Sequence, residues 1–133
     1  MEPVVLFEEE SLILWYHPDE NIVHHQLRKF PDSGTFREML TRGAECLEQY
    51  KSKKWLSDDT GNVVVRDSDI EWGNSVWVPR VLRAGFKFWA IVMPVSAVGQ
   101  LSMQRIAAAH RKLGVNAQTF SDLSSAFSWL KAM

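Results

Sequence analysis

The stretch KKWLSDDTGN, residues 53–62, sets two adjacent carboxylates, a threonine and a glycine directly behind an apolar pair. Asp58 and Asp59 are residue types that move protons, and Thr60 beside Gly61 offers a hydroxyl for ligand contact or modification. Acid–base catalysis needs a further group within reach, and two neighbouring carboxylates in one loop do not establish it. The plainer expectation is that the pair solvates a strand end and opens an Asx turn into Gly61. A strand running parallel to its neighbours would put that end beside the crevice where open α/β sheets take ligands.

His24 and His25 are consecutive in an extended stretch, so their side chains take opposite faces and cannot share a metal without distortion. His17 or His110 would have to join one of them, and no spacing predicts it, so a metal site is not expected. The single cysteine, Cys46, excludes an intrachain disulfide and is expected to pack as a small apolar residue. Glycine-rich phosphate loops, nucleophile elbows, H-E-x-x-H and paired cysteines are missing from the sequence. The expectation is therefore a protein without a cofactor and without a catalytic step.

Trp55, Trp72, Trp77 and Trp89 fall around one short strand, one helix and the most apolar strand, and most should be core. Trp72 and Trp77 are five apart, about 140° around a helix, so one face cannot bury both equally. One of them is free to meet a second subunit or an apolar ligand. Arg80, Arg83 and Lys87 form a small basic edge, expected to be solvated.

The elements that must carry these residues follow from periodicity. Residues 4–10, 11–17 and 21–30 are rich in β-branched, aromatic and leucine residues, and HPDEN supplies turn chemistry between the last two. An antiparallel meander is predicted there. TFREMLTRGAECLEQYK is a helix, with Thr35 and Glu38 as a capping box and Ser33 as a competing cap. Residues 54–57 form a short strand, and NVVV after it is partly extended. Residues 68–85 are a helix capped by Ser68 and closed by Gly85, with Pro79 kinking it near residues 74–78. FKFWAIVM, residues 86–93, lacks alternation and reads as a central parallel strand covered on both faces. A helix at 102–114, a strand at 115–120 and a helix from Ser121, with Leu123, Phe127 and Leu130 inward, complete the chain.

With 133 residues the chain fits one domain, 1–133, large enough for a core without staples. A net charge of -1 predicts no general attraction to nucleic acid. No run approaches the roughly 18 apolar residues of a membrane span, and a cytoplasmic location is expected.

The element order, with KKWLSDD, W…VPRVLRAGFKFWAIVMP and TFSDLSSAFSWLK, resembles bacterial STAS/SEC14-type proteins of SpoIIAA-like fold from residue 4 to residue 131. The resemblance implies an α/β fold with a mixed sheet and helices packed on it. It also implies two functions. Anti-sigma-factor antagonists are phosphorylated on the serine of Asp-Ser-x-Gly at a helix N-terminus, and SEC14-like relatives hold a lipid or other apolar ligand. Against Asp-Ser-x-Gly, Asp58 and Gly61 agree, but Asp59 stands at the serine position, and the next helix is expected only near Ser68. The phospho-switch does not carry over. Asp59 as a fixed substitute for phosphoserine would be incomplete, with one charge and two oxygens.

The expected function is a regulatory binding domain acting by protein–protein contact as a homodimer. Its surface would be Trp72, Trp77 and Arg80 with the loop of Asp58, Asp59, Thr60 and Gly61. The alternative is a binder of a lipid or small apolar ligand beneath the second helix.

Overall fold

The computed structural model of the chain describes residues 1–62 and 64–133. Its elements are β1 (Val4–Glu8), β2 (Leu12–His17), β3 (Ile22–Leu27), α1 (Ser33–Tyr50), β4 (Lys54–Asp58), α2 (Asp67–Trp72), a π-helical turn (Gly73–Trp77), α3 (Val78–Arg83), β5 (Phe88–Val92), α4 (Ala97–Lys112), β6 (Asn116–Phe120) and α5 (Leu123–Ala132). The fold is α/β, with one mixed sheet whose spatial order, β1 to β6, is the order of the sequence. The first three strands pair antiparallel and β3 to β6 run parallel.

That sequential order determines where the helices go. Crossovers between parallel strands share one hand, so strands added always on the same side put every crossover helix on one face. Accordingly α1, the α2–α3 unit and α4 pack with Leu14, Val23, Trp55 and Ile91 in one large core. The other face has only α5, whose Ala126 and Leu130 cover Ile22, Leu56, Ala90 and Val92. The outermost strand β1 is short, bulged between Val5 and Phe7, and ends in a run of three glutamates, Glu8 to Glu10, which discourages edge-to-edge pairing.

The apolar stretch at 86–93 forms β5 between two parallel partners, β4 and β6, one strand in from the edge rather than at the centre. Its missing alternation reflects helices over both faces, which is independent of rank in the sheet. Val81, Met103 and Ala107 lie on the side of Trp89 and Ile91, and α5 lies over Ala90 and Val92.

Helix starts differ from the sequence reading by a few residues. Asp32 caps α1 in place of Thr35 or Ser33, accepting from the Thr35 N–H at 2.8 Å. Asp122 caps α5 in place of Ser121, and α2 begins at Asp67 with no side-chain cap. At α1 and α5 the carboxylate outcompetes the hydroxyl beside it because its charge also favours the helix N-terminus. The fourth helix starts at Ala97, five residues before the expected 102, because Ser96 accepts from the Gly99 N–H at 3.0 Å. On α5, Leu123 is exposed and the small Ala126 takes the place against the sheet. The expected extended NVVV includes residue 63, which lies outside the described residues; Val64 and Val65 have no regular secondary structure.

The kink appears where expected, as the π-helical turn. Proline has no N–H to offer the carbonyl four residues back, so the ladder before Pro79 must be repaired. Instead, the Val78 N–H reaches five residues back to the Gly73 carbonyl. Gly85, at φ +100°, closes α3 in the left-handed conformation expected of it.

Candidate functional site

Strand parity puts Val23, His25 and Leu27 of β3, with Trp55 and Ser57 of β4 and Trp89 of β5, on the face that the crossover helices cover. Between this face and the π-helical turn lies a cavity of about 90 Å³. Its wall is largely aromatic and aliphatic, including Trp55, Trp77, Trp89, Phe36, Phe86 and Met103. Gly43 of α1 is what lets that helix lie against the indole of Trp55. A Cβ there would sit 2.1 Å from the ring.

A row of hydrogen bonds runs through the cavity floor. The Trp55 indole N–H donates to His25 Nδ1 at 3.0 Å, and His25 Nε2 lies 2.7 Å from Asp59 Oδ1. An indole can only donate, so Nδ1 is the acceptor and the ring proton sits on Nε2, which donates to the carboxylate. All three side chains are buried. Both nitrogens of His25 are thereby occupied, so the imidazole has no free lone pair for an outside proton.

Among the described residues, three buried lining residues keep unused hydrogen-bonding capacity, as does the exposed amide of Asn74. Asp59 Oδ2 has no donor. The Ser57 oxygen accepts from the Trp89 indole at 2.8 Å, which leaves its own proton undonated. His110 donates from Nδ1 to the Ile106 carbonyl at 2.9 Å, leaving Nε2 a bare acceptor. Burial pushes the His110 pKa below the usual histidine value, against the pull of that carbonyl, and so favours the neutral ring. No lysine or arginine lines the cavity. Asp69, at its mouth, is already held by Arg37 at 2.9 Å and by the Ser33 hydroxyl at 3.1 Å.

The two aspartates of the 58–61 loop part company. Asp58 makes the expected Asx turn, accepting from the Thr60 N–H at 3.2 Å and its hydroxyl at 2.7 Å. Asp59 turns to the opposite face and joins His25. Neither solvates the strand end, because each is at most 5% exposed. Thr60 is exposed, and Gly61 presses on the Leu27 carbonyl, 2.3 Å from where a Cβ would be. Trp77 is buried and donates to the Leu40 carbonyl at 2.6 Å, while Trp72 is half-buried under the Arg37 guanidinium. Arg80 is clamped by both oxygens of Glu48 at 2.8 Å. Of these residues, only Asp59 and Trp77 meet at the cavity.

His25, Ser57, Trp55, Trp89 and His110 were not singled out as site residues from the sequence. A usable signal was the parity of His25 with Val23 and Leu27, since a histidine on a core face demands buried partners. His24 points the opposite way, as two consecutive strand residues must. It lies 3.0 Å from His17 and 4.7 Å between ring centroids from Trp15. Its Nε2 is buried without a partner. Among the described residues, no three or more histidine, cysteine or acidic groups gather as metal ligands. Burial pushes the Cys46 thiol up to about 11, which suits a packed side chain. None of the described helices is long and apolar enough to cross a membrane. No family model, no curated protein and no solved structure matches the chain.

Two outcomes follow for the histidines. His25→Phe should cost about 3 kcal/mol or more in urea unfolding, because the Trp55 N–H and the Asp59 carboxylate lose their partner together, and His25→Gln should recover part of it. Burial lowers the His24 pKa to about 3, with His17 and His25 adding to the effect. The unfolded chain therefore takes up a proton below about pH 6.5 that the folded chain refuses, and stability falls from there down to about pH 3. Unfolding at pH 5 should be easier than at pH 7 by about 2 kcal/mol from this group, and His24→Phe should flatten that slope.

Proposed function

We propose that this chain is a binding module for a small, mainly apolar molecule with a polar handle, held in the cavity between the sheet and the π-helical turn. One observation carries this: among the described residues, Asp59 Oδ2, the Ser57 hydroxyl and His110 Nε2 keep unspent hydrogen-bonding capacity on the wall of a largely apolar pocket. Open hydrogen-bonding positions converging on an apolar pocket are where a ligand's polar group is held. A π-helical turn in the wall supports the same view, since such insertions recur at functional sites. The size limits what enters. About 90 Å³ is below the roughly 150 Å³ that accepts benzene, and far below the ~300 Å³ of the smaller drug-sized pockets. A lipid chain does not fit unless the helices part; a molecule of a few heavy atoms does.

The motif resemblance to STAS/SEC14-type proteins of SpoIIAA-like fold belongs to this proposal, and the ligand-holding branch of that family is the one the cavity favours. The role is binding without a chemical step. The test is a titration with two-carbon probes, ethanol, ethylammonium and acetate, followed by NMR of the tryptophan indole N–H groups. At least one probe should shift Trp55 and Trp89, while Trp129, on the opposite face, stays in place. If no probe moves the cavity indoles, the site is lost.

A second reading, a homodimer or another protein docking on the same helices, is favoured by exposed Val95, Val98 and Leu101 at the start of α4. Val98 and Leu101 line a groove against Val64 and Ile70. Light scattering should then give a dimer that Leu101→Asp dissociates. A monomer in both proteins removes it.

A further inference from the structure

The geometry points to a small organic ammonium as the class of ligand, recognised by Asp59 Oδ2 within the tryptophan-walled cavity. This rests on the cavity being the ligand site and adds what the site selects for. The inference is drawn from charge accounting. The Trp55 N–H fills His25 Nδ1, so His25 meets Asp59 Oδ1 as an N–H donor from Nε2. The other carboxylate at the cavity, Asp69, is already paired with Arg37, and no lysine or arginine lines the space. Asp59 is left as an uncompensated carboxylate, its side chain 4% exposed, with one oxygen unbonded among the described residues.

A carboxylate with an open oxygen in an apolar pocket is best met by a cation with N–H donors. The remaining contacts agree with that class. His110 Nε2 is a second acceptor and cannot serve a ligand that only accepts. Trp55, Trp77, Trp89 and Phe86 supply the aromatic surroundings in which ammonium groups are favoured over neutral ones. An anion is disfavoured because it would face the Asp59 carboxylate with no lysine or arginine on the wall to offset the repulsion.

The probe comparison separates this inference from the reading beneath it. On the wild-type protein, ethylammonium should bind at least about tenfold more tightly than ethanol, read from the Trp55 and Trp89 indole shifts, and acetate should be weakest. Asp59→Asn keeps an acceptor for His25, and in it the amine should lose its advantage while ethanol binds as before. Equal or tighter binding of ethanol to the wild type overturns the ammonium and leaves the cavity as a site. Absence of any shift with all three overturns both. Should Asp59→Asn not fold, the wild-type ranking alone decides between these outcomes.

Discussion

An indole N–H, an imidazole and a carboxylate stand in line between β3 and β4, and each can be buried only because the next one is there. Trp55 must donate to something once it is 1% exposed, His25 must both accept and donate, and Asp59 must find at least one donor. Together they tie the middle of the sheet to the loop that leaves β4. The parallel register that sets His25 opposite Ser57 brings Asp59 within reach, and the chain reversal by Asp58 and Thr60 holds it there. A slip of one residue would send His25 to the opposite face and leave Trp55 and Asp59 stranded.

The helices above are shaped around the same line. Gly43 lets α1 approach the Trp55 ring, and Trp77 packs edge-on against that ring with centroids 5.4 Å apart. The π-helical turn swings Trp77 into this position and its own N–H onto the Leu40 carbonyl. The wall that results is well packed except at one small space, bordered by groups with hydrogen bonds left to make. Packing that otherwise leaves so little unfilled makes a partly polar void informative.

Much of the architecture was legible in the chain. Short turns among the first strands, alternating strand and helix patterns afterwards, Gly85 after a helix and Pro79 within one all act locally, so their consequences could be read one segment at a time. The caps were displaced by one to three residues because several polar residues compete at each helix start, and only packed geometry selects among them. The candidate site was far less legible. Asp59 and Trp77 were noticed for their types, yet the motif comparison treated Asp59 as a phosphoserine position and the helical wheel treated Trp77 as one of two surface candidates.

What the sequence by itself determined is the set of elements, their order and the mixed α/β class, because periodicity, turn chemistry and chain connectivity are local properties. Only the tertiary structure decided that Asp58 and Asp59 serve opposite faces, that His25 lies between Trp55 and Asp59, and that His110 and Ser57 border the same void. Those residues lie up to 85 positions apart, and their meeting depends on strand register and helix placement, which no single segment encodes.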